Sequence, residues 1–248
     1  SGWSELELPG LLSVVGRDPA GDDLIQAARA MGLNCDHLYR SADLPTDQYM
    51  AIEGATGLVA AIADAHSLEA AGDKILQPLI DGPLGTSAAP FAGTIALDGN
   101  LTVPLLAHIA TSPLFAAADL RVAPASPGKA ERLQPLFHHP KATFYVNLEE
   151  AKLICQTDFD STAQAAQAIV ARGANRAMVT NGGAAAAMAT RDGSLTACPP
   201  QVLVARVTGA GDTFMAAHIA AERQGADAAT ALTTALHTAA QYVSGATE

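Results

Sequence analysis

Along the chain, short apolar runs alternate with stretches of helical spacing, and polar or glycine turns separate them. Leu11-Leu12-Ser13-Val14-Val15-Gly16 reads as a buried strand ending at a glycine. Arg17-Asp18-Pro19-Ala20-Gly21 reads as a turn, and Asp22 to Met31 has the spacing of a helix that Gly32 stops. Further on, Thr94 to Asp98 predicts a strand and Pro104 to Ala110 a helix. Leu120 to Ala123 and Thr143 to Val146 predict two more strands, and Ser161 to Arg172 a helix. Arg176 to Thr180 is a strand running into Asn181-Gly182-Gly183. Two alanine-rich helices close the chain, Asp212 to Arg223 and Ala226 to Val243, with Gly225 breaking between them. Strand, turn and helix repeated in that order imply an α/β fold around a mostly parallel sheet.

Residues 34–64 depart from this rhythm. His37-Leu38-Tyr39, Gln48 to Ile52 and Leu58 to Ile62 are short strand-like runs, separated by Pro45 and by the turn Glu53-Gly54-Ala55-Thr56-Gly57. They predict a small antiparallel insert, either a lid over a cleft or an ordinary edge meander. The expected organisation is one α/β domain over residues 1–248, with a β lid at 34–64. Ser1 to Gly10 carries no pattern.

With 49% apolar residues in 248, the chain has enough apolar surface for a sizeable core. A net charge of −11 argues against a nucleic acid polymer as partner, because phosphate backbones need a basic face. Cys35, Cys155 and Cys198 stand far apart and in no metal-ligand spacing, which reads as free thiols in a reducing compartment. None of the seven histidines has such spacing either, and the pair His138-His139 reads as a surface loop. No secretory leader opens the sequence and no apolar run is long enough to cross a bilayer. The expectation is a cytoplasmic protein without a membrane partner.

The stretch with most chemistry in it is Val207-Thr208-Gly209-Ala210-Gly211-Asp212-Thr213-Phe214. Glycines beside an apolar, alanine-rich run describe a loop turning into a helix N-terminus. The unpartnered N–H groups and the helix dipole favour an anion there. Asp212 either caps the helix or takes a proton from an attacking hydroxyl at that anion. Other strand ends are polar too: Asp98-Gly99-Asn100, Ser126-Pro127-Gly128-Lys129, Asn147-Leu148-Glu149-Glu150 and Thr180-Asn181-Gly182-Gly183. In open parallel sheets ligands bind at such ends. Asn147 with Glu150 reads as a helix start or as support for a hydrated Mg²⁺. The glycines after Thr180 read as phosphate contacts or as a hairpin turn before Met188.

These motifs, in this order, resemble the ribokinase-like (PfkB-type) sugar and nucleoside kinases, from Leu11 to the C-terminus. Gly209-Ala210-Gly211-Asp212 is similar to that family's GAGD signature, and Asn147 to Glu150 to its NxxE motif. Thr180-Asn181-Gly182 looks like its strand-end Thr-x-Gly segment. Ser13-Val14-Val15-Gly16-x-Asp18-x-x-Gly21 resembles the family generally, while Pro45-Thr46-x-x-Tyr49, Ala61 to Asp64, Leu97 to Leu101 and Pro124-x-Ser126-x-x-Lys129 look closest to its pseudouridine-kinase branch. The resemblance implies a three-layer α/β/α fold with a small antiparallel β lid. It implies transfer of the ATP γ-phosphoryl group to a nucleoside 5′-hydroxyl, with ATP and Mg²⁺ as cofactors and a monovalent cation such as K⁺ possible in the family.

The resemblance also implies a role for each matching residue. Asp212 is the general base, and the N–H groups of Gly209, Ala210 and Gly211 form the anion hole. Thr208, Asn147, Thr180, Gly182 and Gly183 lie around the nucleotide, with Glu150 on Mg²⁺ through water. Thr46, Tyr49, Asp64, Asn100 and Lys129 surround the nucleoside, and a homodimer forms through the lid. The pattern departs from the family in four places. Nothing in Ser1 to Gly10 matches the expected Gly-Gly sugar motif, which implies either further residues at that end, the favoured reading, or loss of half the sugar site. Val122-Ala123-Pro124 lacks the Asp that relatives often carry before the proline. Val146 replaces a usual proline, and Ala184 to Ala187 replace polar residues. Two alternatives remain, a kinase for another ribosyl or sugar substrate and a nucleotide-binding protein without catalysis.

Overall fold

The structure, a computed structural model, describes residues 8–54, 57–64 and 66–245. Ser1 to Glu7, and Ala55 and Thr56 of the expected turn, lie outside the described residues. The chain divides into two compact units, one running to Phe91 and including Asn100–Leu105, the other comprising Ala92–Gly99 and the chain from Leu106 onward.

In the first unit, β1 (Val14–Gly16) leads into α1 (Pro19–Ala30), and β2 (Tyr39–Ser41) pairs parallel with β1. The first run of the expected antiparallel insert therefore belongs to a parallel pair. Antiparallel pairing is confined to β3 (Gln48–Gly54) and β4 (Gly57–Asp64). A short helix α2 (His66–Ala71), a 3₁₀ turn (Gly72–Leu76) and α3 (Gln77–Ile80) come next. Asp18 organises the corner. It caps α1 by accepting from Gly21 N–H at 2.8 Å and also accepts from Thr46 N–H at 2.8 Å and the Thr46 hydroxyl at 2.6 Å. Gly16 N–H donates to that same hydroxyl at 2.9 Å. A Cβ on Gly16 would stand 2.6 Å from Thr46 N, so only glycine allows this approach.

The second unit is built on a six-stranded sheet. Its strands are β5 (Thr94–Asp98), β6 (Asp119–Ala123), β7 (Thr143–Asn147), β8 (Arg176–Thr180), β9 (Ala186–Thr190) and β10 (Gly193–Ala197). They lie side by side in the order β10-β9-β8-β7-β6-β5. Pairing is parallel from β5 to β8 and antiparallel from β8 to β10. The sheet is thus parallel in the half that bears the polar strand ends, and the glycines after Thr180 make a tight return into β9. β10 and the 3₁₀ stretch Pro127–His138 have no clear periodicity in sequence, and no expectation covers them. The helices are α4 (Val103–Thr111), α5 (Leu148–Cys155), α6 (Thr162–Ala171), α7 (Ala210–Arg223) and α8 (Ala228–Ser244).

Strand alternation sends side chains to two faces. Phe144 packs on Phe137 on one side. Tyr145, Met178, Ala186 and Met188 on the other form a core with Phe214 and Met215 of α7 and Leu232, Ala235 and Leu236 of α8. Helices on both faces give the three-layer α/β/α arrangement, as expected. His139 is a correction: it is 1% exposed, not on the surface, and its Nε2 bonds to Phe115 O at 2.8 Å. Pro140 comes after a histidine that pins a chain reversal rather than facing solvent.

At the amino edge of the sheet lies a charged network, with Arg121 buried and Arg176, Glu222 and Asp119 half-buried. Arg176 donates to both Glu222 oxygens at 2.5 and 3.0 Å, and Arg121 donates to Glu222, to Asp119 and to the Tyr145 hydroxyl. The Tyr145 hydroxyl meets His218 Nδ1 at 2.8 Å, and His218 is fully buried. Burial, together with the charges of Arg176 and Arg121, pushes the His218 imidazole down to about 4. Burial would raise the Glu222 carboxyl, but the bonds and charges of Arg176 and Arg121 outweigh it and hold it at about 2.

Both shifts act in one direction. The unfolded chain takes up protons more readily than the folded one, so stability falls as pH drops. His218 contributes that loss between pH 6.5 and about 4, and Glu222 between 4.5 and about 2. Urea unfolding from pH 7 to 4 is expected to show a loss on the order of 2 kcal/mol from His218. His218→Gln, which gains no proton, should flatten that part of the curve. An unchanged slope would contradict the assignment.

Candidate active site

Parallel pairing aligns the carboxyl ends of β7 and β8, so Asn147 and Thr180 are direct partners on the last rung. Asn147 then caps α5. Its side chain accepts from Glu150 N–H at 2.9 Å, and Glu150 Oε2 accepts from Asn147 N–H at 2.8 Å, closing a capping box. The helix-start reading of this pair is therefore real, and it sets the position of Glu150, which is 9% exposed. Burial raises the Glu150 carboxyl, Asn147 N–H lowers it, and the negative charges of Glu149 and Asp212 raise it further. Asp212 acts on Glu150 across the site, which places the two signature motifs within electrostatic reach.

Asp212 lies in the first turn of α7 and is exposed. Gly209 stands at the N-cap in the left-handed region, φ +88°, and no side chain caps this helix. Ala210 N–H donates to Val207 O at 3.1 Å, so that amide of the expected anion hole is already engaged. The amides of Gly211 and Asp212 fall among those a helix start leaves without internal partners. A Cβ on Gly211 would meet nothing within 4 Å, so the turn is open to approach.

The preceding loop is tied to the end of α8. The Tyr242 hydroxyl donates to Thr208 O at 2.9 Å, and Arg206 Nε donates to Tyr242 O at 2.8 Å with its guanidinium 4.1 Å from the ring centre. Ala205 N–H donates to Val243 O at 2.8 Å. A Cβ on Gly209 would lie 2.6 Å from the Tyr242 hydroxyl. Sequence reasoning misses Tyr242 and Arg206, because nothing in their spacing links a C-terminal helix to a loop so far upstream.

Gly182 and Gly183 are exposed in the return after β8, Gly182 at φ +53°, with nothing within 4 Å of a Cβ on either. Lys129 is half-buried on the 3₁₀ stretch after β6, and a Cβ on Gly99 would stand 3.0 Å from its carbonyl oxygen. Ala125, at φ +66°, turns the chain between β6 and Lys129. Asn100 is half-buried and falls in the first unit, as do Thr46, Tyr49 and Asp64. Thr46 is buried with its hydroxyl used by Asp18 and Gly16, so it serves the corner of its own unit. Tyr49 is 67% exposed on the hairpin. Asp64 is exposed and holds His66 Nδ1 at 2.5 Å. Among the described residues, no group of three or more His, Cys, Asp or Glu is placed to hold a metal, and no helix is long and apolar enough to cross a membrane.

Comparison with known proteins gives this arrangement its family. Residues 9–246 match the model of the pfkB family of carbohydrate kinases. No curated protein matches the sequence. Among solved structures, a ribokinase from Thermotoga maritima is similar with a TM-score of 0.76 at 19% identity, over 95% of this chain and 74% of that one. A carbohydrate kinase from Agrobacterium tumefaciens gives 0.74 at 23% identity, over 93% and 72%. An adenosine kinase from Trypanosoma brucei brucei gives 0.74 at 17% identity, over 95% and 75%. At these identities the likeness is one of fold, and the fold is ribokinase-like. With the signature turn of α7 in place and the family model matching nearly end to end, the chain belongs to the pfkB family of carbohydrate kinases.

Proposed function

We propose that the protein transfers the γ-phosphoryl group of ATP to the 5′-hydroxyl of a nucleoside, with pseudouridine as the substrate and pseudouridine 5′-phosphate as the product. The first turn of α7 carries this reading. It offers an uncapped helix N-terminus and an exposed carboxylate in the same turn. A carboxylate beside an anion hole repels the anion unless it has a proton to take, and Asp212 is placed to take it from the attacking hydroxyl. The amides of that turn stabilise charge on the phosphoryl oxygens.

The residues fit a hydrated Mg²⁺. Glu150 has one oxygen held by Asn147 N–H, and its charge and that of Asp212 oppose each other, so the pair favours a divalent cation carried with its waters. Bound Mg²⁺ neutralises charge on the transferring phosphate. Thr180, Gly182, Gly183 and Thr208 are the proposed nucleotide contacts, and Lys129 the proposed nucleoside contact in the same unit. Motif resemblance at Pro124 to Lys129 and at Leu97 to Asn100 favours pseudouridine over ribose. The same reading takes a homodimer through the hairpin, where Met50, Ile52 and Ile62 are 51–64% exposed and share one face.

The assay is ATP and Mg²⁺ with pseudouridine, uridine or ribose, and the monophosphate read by mass. Pseudouridine is expected to give product, and Asp212→Asn to lower kcat by about 10²–10⁴-fold with the fold intact. Product from ribose alone would replace the substrate, and ATP binding without product would replace the reaction.

Two glycine variants test the anion hole. Gly209→Ala should lower stability by about 1–2 kcal/mol or more, from left-handed strain and the clash with Tyr242. Gly211→Ala should instead raise the melting temperature, alanine being about 1 kcal/mol better in a helix. It should also weaken ATP binding as its methyl narrows the approach. Unchanged ATP affinity in Gly211→Ala would move the phosphates elsewhere.

A further inference from the structure

The face of α7 that enters the core carries Phe214, His218 and Glu222, four residues apart and hence in one line. At its start lies Asp212, and at its end the charge network. Glu222 is held by Arg176 of β8 and Arg121 of β6. His218 is held by Tyr145 of β7. Arg121 is fixed in turn by Asp119 Oδ2 at 2.6 Å and by the Tyr145 hydroxyl at 2.9 Å. Three adjacent strands thus grip the far half of one helix through directional bonds.

The rest of the buried surface of α7, at Phe214, Met215 and Ala221, is apolar. Apolar packing is non-directional and does little to set a helix along its axis. Charged hydrogen bonds, above all two-pronged arginine–carboxylate pairs, are geometrically specific. Stability alone does not call for such a network, because desolvating partly buried ions offsets much of their attraction and apolar replacements often do as well. A second observation agrees. His218 Nε2 is buried without a hydrogen-bond partner among the described residues, a cost that an apolar side chain would avoid. With the Tyr145 oxygen accepting from Arg121, its proton is free to go to His218 Nδ1, the arrangement in which the unpaired Nε2 carries the ring N–H.

We propose that Arg121, Arg176, Glu222, Tyr145 and His218 form a positioning device for Asp212. The network fixes the axial and rotational setting of α7 from its far end, about 15 Å of helix away from Asp212. None of the five is a catalytic residue. They act through the helix, and the proposal rests on the kinase reading for its effect on rate. Displacing a reacting group by an ångström costs about 10²-fold in rate, so the setting of this helix bears directly on turnover.

The test is the triple variant Arg121→Met/Arg176→Met/Glu222→Met, which removes the three charges between helix and sheet together; Asp119 keeps its charge, with 34% of its side chain exposed to solvent. Its melting temperature is expected within a few degrees of wild type and its ATP affinity within about threefold, while kcat falls by about 10–100-fold. A crystal structure is expected to show α7 shifted or rotated against β7. Activity within twofold of wild type, or an unmoved helix, overturns the proposal. So does loss of activity in proportion to loss of folded protein. A wild type that turns over no substrate sinks the kinase reading instead, and the position of α7 in the variant still decides the helix setting. If the triple variant does not fold, Tyr145→Phe, which removes one hydroxyl from the network, is judged on the same two readouts.

Discussion

Parallel strands must end on the same edge, and the active-site geometry of this protein depends on that constraint. Because β5 to β8 run side by side in one direction, their carboxyl ends emerge together. Asn147 and Thr180 meet on one rung not through any attraction between them but because ladder bonds along β7 and β8 leave no other register. The residues just beyond each strand are then free to be polar, since the ladder has ended. A cap at Asn147, glycines after Thr180 and a positive-φ turn at Ala125 all occupy that edge. Their shared location is a property of topology before it is a property of chemistry.

The helix that supplies Asp212 faces the opposite demand at its two ends. An uncapped N-terminus is poor design for stability, since a capping side chain is worth about 1 kcal/mol and α1, α5, α6 and α8 all have one. Beside those four, α7, the helix proposed to meet an anion, goes without. Its start is shaped instead from outside, by Tyr242 and Arg206 holding the loop before Gly209. Its end is fixed by ions that most helices of this alanine-rich kind would replace with apolar residues. The expense falls at both termini and the apolar core between them carries the stability.

How much of this is legible in the chain depends on whether the signal is local. β5 and β8 match their apolar runs residue for residue; in β8 this follows from burial on both faces, which leaves an uninterrupted apolar stretch at Ala177 to Val179. The signature turn at Gly209 to Asp212 is legible for the same reason, glycine and helix start being neighbours. Tyr39 reads as part of the wrong sheet because pairing partners are not encoded in a short strand, and its partner Val14 in β1 lies far back along the chain. The bonds of the Thr46 hydroxyl to Asp18 and Gly16 are equally hidden in the sequence, since only folding brings those residues near. The charge network leaves one trace in the sequence. An arginine within Leu120-Arg121-Val122 needs a counter-charge, yet no sequence rule points from it to Glu222, 101 residues on.

Charge sets the last requirement on the site. The protein carries a net −11, and its two signature carboxylates, Asp212 and Glu150, add local negative potential at the proposed phosphate site. A helix dipole and a few amides contribute only about half a positive charge. On the proposed reading that does not balance two carboxylates and a triphosphate, and a divalent cation would. Glu150, its carboxyl raised by burial and one oxygen held by Asn147 N–H, is the proposed support for that cation through water. Asp212, exposed at the open turn, keeps the freedom that Glu150 lacks. On the proposed reading the two acids would divide the work by their surroundings, Glu150 toward cation and water and Asp212 toward the acceptor hydroxyl.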